Sequence, residues 1–190
     1  VTQSLTTTRF SYRPISSISR WVVAIGLVCS IVAGVALLTN VLAFEASIAA
    51  RVLDSVFMVP ASAPSGQAYI RYVADYPYVL VVTPECSAVF LTAPFIAASA
   101  LLVLSDRFTV KRIMATLSIS IGVILAINAL RIAFIAAALA WWGMDGYGWS
   151  HTVVGSALSF IAIGVSTAIF YVALTRPGAP RRPRRSLQPE

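Results

Sequence analysis

Four long apolar runs constrain this chain more than any other feature. They extend from about Trp21 to Phe44, Ser87 to Leu104, Ile113 to Trp141 and Thr152 to Thr175. Crossing the hydrocarbon core of a bilayer takes about 20 residues of helix, so each run is close to a membrane span. Backbone polar groups cannot be left bare in lipid, which makes helices the expected form. Composition agrees, because 58% of the 190 residues are hydrophobic and only 11% are charged. A soluble protein carries roughly 25% charge, and a core of this size cannot hide so much apolar surface from water. The first run is longer than the roughly 7–15 apolar residues of a signal peptide, so it reads as a retained span.

The net charge is +7, but the basic residues sit in short stretches between apolar runs, a pattern unlike a nucleic-acid footprint. With two Cys and one His, the chain has no zinc cage or disulfide framework of its own, and no metal or other cofactor is expected. Arg9, Arg13 and Arg20 precede the first run, Arg107, Lys111 and Arg112 join the second to the third, and five Arg follow the fourth. The positive-inside rule then puts both termini in the cytoplasm of a multi-pass protein of the inner membrane. The expected organisation is a cytoplasmic segment at 1–20, a transmembrane catalytic domain at 21–175 and a basic, lipid-facing tail at 176–190.

The long outer loop between the first two runs carries structure of its own. Ile48, Ala49, Val52, Leu53, Val56 and Phe57 recur at helical spacing, with Arg51, Asp54 and Ser55 opposite, which predicts an interfacial helix. Residues 60–66 read as a breaker-rich turn. Tyr69–Val73 and Tyr78–Val82 are β-prone and are joined by Asp75-Tyr76-Pro77, which predicts a hairpin. The fold class is therefore an all-α membrane protein: a four-transmembrane-helix bundle with an interfacial helix and a small β-hairpin on the outer side.

Three reactive side chains fall at one depth. Cys86 precedes the second run and His151 precedes the fourth. Arg131 is 18 residues past Ile113, about 27 Å along a helix, which brings it near the same outer boundary. An ordinary thiol is mostly protonated at neutral pH, and a neighbouring cation favours the nucleophilic thiolate. Cys86 is then a candidate nucleophile on a carbonyl, His151 a proton carrier and Arg131 a fixed cation for developing negative charge. Asn128 lies one helical turn before Arg131 and is positioned to hold it, while Ser87 and Glu85 flank the thiol.

Each residue also has a plainer reading. A lone membrane Cys is usually a small hydrophobe. His151 can cap the fourth helix, and Arg131 can snorkel to the outer headgroups. Gly26, Ser30 and Gly34 form a small-residue stripe around Cys29, which reads as helix packing, and Gly155 and Ser159 suggest a second such contact. On these readings the chain is a non-enzymatic membrane module, a transporter subunit or assembly scaffold, with Arg131 as an anion or partner site.

Thr83-Pro84-Glu85-Cys86-Ser87, Asn128-Ala129-Leu130-Arg131-Ile132 and His151, in that order, resemble the exosortase/archaeosortase family of membrane-embedded cysteine transpeptidases. The resemblance implies a catalytic set of Cys86, Arg131 and His151 on the outer face. It implies a thioester acyl-enzyme and, as partners, exported proteins with a C-terminal sorting signal: a short motif, a transmembrane helix and basic residues. Ala88 stands where the family commonly has Gly, and four spans replace the roughly eight of many members, so the chain looks like a reduced core.

Overall fold

The computed structural model describes residues 17–73, 78–105 and 107–175. The leading segment, the hairpin turn Asp75-Tyr76-Pro77 and the basic tail from Arg176 lie outside these residues. The element order is α1 (Ser17–Ala36), α2 (Leu38–Phe57), β1 (Ala61–Ser62), β2 (Tyr69–Tyr72), β3 (Val79–Val81), α3 (Ala88–Leu104), α4 (Val110–Trp149) and α5 (Gly155–Thr175). A 3-10 turn, Pro84–Cys86, leads into α3, and a π-turn, Ser150–Val154, leads into α5.

Two stretches are long and apolar enough to cross a bilayer, Ile18–Ala36 and the 66-residue Val110–Thr175; Ala88–Leu104 is apolar but shorter. The helices are apolar outward as well as inward. Trp21, Val22, Val28 and Val32 on α1 and Phe160, Ile161, Val165 and Tyr171 on α5 are all exposed large hydrophobics. Water would oppose such a surface, whereas lipid accepts it.

The first apolar run is not one helix. The helix breaks at Leu37 (φ −101°, ψ 22°), and α2 begins at Leu38 and continues to Phe57. The expected interfacial helix is therefore the second half of a longer element. Its face of Leu42, Ala46, Ala49 and Leu53 is buried against α4 and the sheet rather than laid on lipid, while Arg51, Asp54 and Ser55 stay exposed as the spacing required. It ends at Met58, whose φ of 53° is the left-handed stop that caps a helix through its N–H on the Leu53 carbonyl.

The expected hairpin forms, with Tyr69 opposite Val81, Ile70 opposite Leu80 and Arg71 opposite Val79. It is one part of a three-stranded antiparallel sheet ordered β1-β2-β3, in which Ala61 and Ser62, read as turn residues, pair with Tyr72 and Arg71. The Tyr72 hydroxyl fixes the sheet to the bundle by donating to the Ala136 carbonyl of α4 at 2.7 Å.

α4 and α5 form a helical hairpin that reverses at Gly143, where φ 62° and ψ −148° break the helical path. The reversal is tight. A Cβ on Gly146 would collide with the Ala138 carbonyl oxygen and approach the Trp142 Cβ to 2.7 Å. At the far end of the hairpin, Arg112 Nε of α4 donates at 2.6 Å to the Ala173 carbonyl in the last turn of α5. Arg20 of α1 likewise donates to the Val103 and Ser105 carbonyls that end α3, at 3.1 and 2.7 Å. Helix C-termini attract cations, so these arginines tie the helix ends together.

The interior has two parts. One packs α2 and the sheet against the latter half of α4 and includes Cys86. The other packs α1, α3 and α5 around the first half of α4. The small-residue stripe of α1 is only partly an interface: Gly34 has Val89 of α3 within 3.5 Å of its Cβ position, but Gly26 faces open space and Cys29 is exposed. Cys29 is thus not a packing residue, because α1 turns that side outward.

Candidate active site

The site stands where the sheet, α2, α3 and the α4–α5 hairpin meet. Its first wall is local. β3 runs into Thr83 and Pro84, the 3-10 turn closes with the Cys86 N–H on the Thr83 carbonyl at 2.9 Å, and α3 starts at Ala88. Pro84 suits this role because its fixed φ fits the first position of a helical turn. The turn leaves Cys86 buried at the start of the helix, with the Thr83 hydroxyl 3.8 Å from its sulfur.

The second wall comes from the hairpin. His151 lies in the π-turn, one residue into it, and stacks on Tyr147 with ring centroids 5.4 Å apart and planes 18° from parallel. A π-turn widens the helix locally and re-aims its side chains, so His151 does not stand at a helix N-cap as the plainer reading had it. Between the walls is a narrow cleft of about 20 Å³, with residues 80–83 and Cys86 on one side and Ile132, Ile135, Tyr147 and His151 on the other. Cys86 and His151 therefore share one opening.

Behind the cleft lies a buried polar cluster centred on a residue that sequence reasoning passed over. Glu45 of α2 is 4% exposed. Its carboxylate accepts from the Ser87 hydroxyl at 3.1 Å, from the Ala88 backbone N–H at 2.9 Å and from Asn128 Nδ2 at 3.5 Å. It thus occupies the N-terminus of α3, where a helix favours an anion. Ser87 is the N-cap of α3 and also accepts from the Val89 N–H at 3.2 Å. Asn128 Nδ2 donates to the Cys86 carbonyl at 2.9 Å, which fixes the backbone of the thiol itself. Glu45 also attracts Arg131 electrostatically.

Arg131 is buried, one helical turn beyond Asn128, and its Nε has no hydrogen-bond partner. It does not line the cleft. It packs instead in a separate, closely filled crevice with Leu91, Leu158, Ser159 and Ala162. Gly155 makes room for it, since a Cβ there would lie 3.2 Å from Arg131 Nε. Burial in protein, rather than snorkelling outward, is where the chain puts this cation.

Of the six residues singled out in the sequence, Cys86 and His151 face the same cleft, while Ser87, Asn128 and Arg131 form the layer behind it. Glu85 is apart from both. It is exposed, and a hydrogen bond from the Thr83 side chain, then one from a backbone N–H, hold its carboxyl below the usual range. The missed signal was Glu45 itself, a carboxylate set into the apolar stripe of Leu42, Ala46, Ala49 and Leu53. No group of three or more potential metal ligands occurs among the described residues.

No curated protein and no solved structure matches the chain. A family model does, over residues 68–170, which spans β2, β3, the 3-10 turn, α3, α4 and most of α5. The chain belongs to the transmembrane exosortase family.

Proposed function

We propose that the protein is a membrane cysteine transpeptidase or peptidase that cleaves a C-terminal sorting signal from exported proteins. The observation that carries this reading is that Cys86 and His151, from distant parts of the chain, open onto one cleft. His151 takes the thiol proton, and the Cys86 sulfur attacks the carbonyl carbon of the scissile peptide. The tetrahedral intermediate carries an oxyanion, and the positive charge of Arg131 in the layer behind favours it. His151 returns the proton to the leaving amine, the C–N bond breaks and a thioester remains. An acceptor amine or water then attacks the thioester and releases the sulfur.

The membrane arrangement that fits is four passes, α1, α3, α4 and α5, with 1–20 and 176–190 in the cytoplasm and 21–175 as the catalytic domain. The links of Arg20 to the end of α3 and of Arg112 to the end of α5 support a common basic end, opposite Cys86 and His151. An apolar groove of about 400 Å³ between Phe90, Pro94 and Phe95 of α3 and Ile163 of α5 starts just past Cys86 and suits the helix of a sorting signal. Restriction to the membrane plane supplies orientation that a soluble enzyme must otherwise build.

The test is Cys86→Ala in a host strain lacking the native chain, with C-terminal peptide mass spectrometry of the exported proteins. Trimmed C-termini present with the wild-type chain and absent with Cys86→Ala are expected; the same trimmed C-termini with both would end the reading. The second reading, a scaffold or transporter subunit, draws on the placement of Arg131 behind the cleft. It predicts that a membrane-impermeant alkylating reagent modifies Cys86 no faster than an ordinary thiol.

A further inference from the structure

β3 is an edge strand three residues long, blunted by its shortness but not by charge or proline. β2 lies on one side of it, and among the described residues no strand pairs with the other. Natural edges are commonly guarded by charges, prolines or bulges. Here Val79 and Val81 are 51% and 62% exposed, and β3 contains no charged residue.

The hydrogen-bond phase of the sheet says which groups this edge offers. In an antiparallel pair, successive residues turn their N–H and C=O alternately toward and away from the partner strand. The Val82 N–H donates to the Ala68 carbonyl at 2.8 Å, so Val82 and Leu80 face β2. The far side of β2 agrees, since the Val73 N–H donates to the Pro60 carbonyl at 3.0 Å and Arg71 pairs with Ser62. Val79 and Val81 are therefore the residues whose backbone donors and acceptors point outward. That edge is continuous with the cleft, because residues 80–83 form its wall and the chain passes from them through the 3-10 turn to Cys86.

We propose that the outer edge of β3 binds the residues preceding the scissile bond as an added strand, with hydrogen bonds between peptide main chain and the Val81 backbone. This rests on the reading of Cys86 as the nucleophile. The occupant is the segment before the cut because the sheet packs with α2 and the latter half of α4, whereas the apolar α3–α5 groove that suits the departing helix starts on the other side of Cys86. An edge of this kind recognises extended backbone, and it holds the carbonyl in line with the sulfur instead of leaving it to diffuse.

The test uses the full chain in detergent micelles with Cys29→Ala, which leaves Cys86 as the remaining thiol. Acetyl-tetra-alanyl chloromethyl ketone is compared with chloroacetone, the same reactive group without a peptide; in both the sulfur displaces chloride. The peptide reagent is expected to alkylate Cys86 about tenfold faster, the worth of one or two main-chain hydrogen bonds. Two peptides N-methylated on alternate residues, in opposite phase, should differ: one keeps the advantage and the other loses it. Val81→Pro removes an N–H that faces away from β2, so it should bring the ratio of the peptide rate to the chloroacetone rate down to about one, whatever it does to the chloroacetone rate itself, while Val81→Ala keeps the ratio.

Equal rates for the two methylated peptides, or an undiminished peptide advantage in Val81→Pro, would overturn the proposal. So would loss of a dimer in Val81→Pro with unchanged alkylation, which assigns the edge to pairing between two copies of the chain. If Val81→Pro does not accumulate, the methylated pair still decides. Unchanged trimming in Cys86→Ala is a separate failure, that of the enzymatic reading.

Discussion

Glu45 holds the residues behind the sulfur in register. It reaches Ser87, Ala88 and Asn128 with hydrogen bonds and Arg131 through charge, and Asn128 in turn holds the Cys86 carbonyl. Glu45→Ala leaves a buried N–H and two side-chain donors without their acceptor. A loss of about 3 kcal/mol is expected, seen as a lowered midpoint of thermal unfolding in micelles. Glu45→Gln retains an acceptor for Ala88 but removes the charge facing Arg131, so it should unfold closer to wild type while still losing trimming activity. Glu85 behaves differently although it adjoins the thiol. Its folded value is depressed, so any stability it contributes is present above the ordinary carboxylate range and lost only as pH falls through the lowered value. At neutral pH it is ionised in both states. The contribution is then fully present, so Glu85→Gln should lower the neutral-pH unfolding midpoint slightly while leaving the alkylation rate of Cys86 unchanged. That Cys86 and His151 meet at one cleft was legible in the sequence, because each directly precedes an apolar run; that Arg131 stands outside that cleft was not. Nor was Glu45, because its partners lie 42, 43 and 83 positions away.

At the level of elements, the helical hairpin sets the second wall of the cleft. Gly146→Ala drives a methyl group into the Ala138 carbonyl, which is backbone and cannot swing aside. Loss of folded protein from the membrane fraction is expected. Gly155→Ala is milder, because the group it meets at 3.2 Å is the Arg131 side chain. That variant should accumulate normally yet trim substrate about tenfold more slowly, through displacement of the guanidinium. The apolar helices and the presence of the hairpin followed from apolar runs and β-prone residues. β1 did not, since Ala61 and Ser62 have little strand preference and are drawn into the sheet by pairing with β2. The π-turn was equally hidden, because neither composition nor periodicity distinguishes five residues of wider helix from an ordinary helix start. The break at Leu37 lay inside an unbroken apolar stretch, where hydropathy carries no mark of it.

The whole molecule divides along its long axis. One end gathers the sheet, the cleft and the buried carboxylate, and the other gathers the helix termini that Arg20 and Arg112 hold. Arg112→Ala removes a 2.6 Å bond at the end away from the cleft. It should lower the unfolding midpoint while leaving the alkylation rate of Cys86 unaltered, a separation that a single continuous core would not allow. The same layout has a consequence for connectivity. The sulfur arrives on the first half of the chain and the imidazole on the second, and the only covalent link between α3 and α4 runs through the short stretch from Ser105 to Thr109 at the opposite pole. A nick in that stretch would yield two fragments that divide the proposed active site between them and should rebuild it wherever they are inserted side by side.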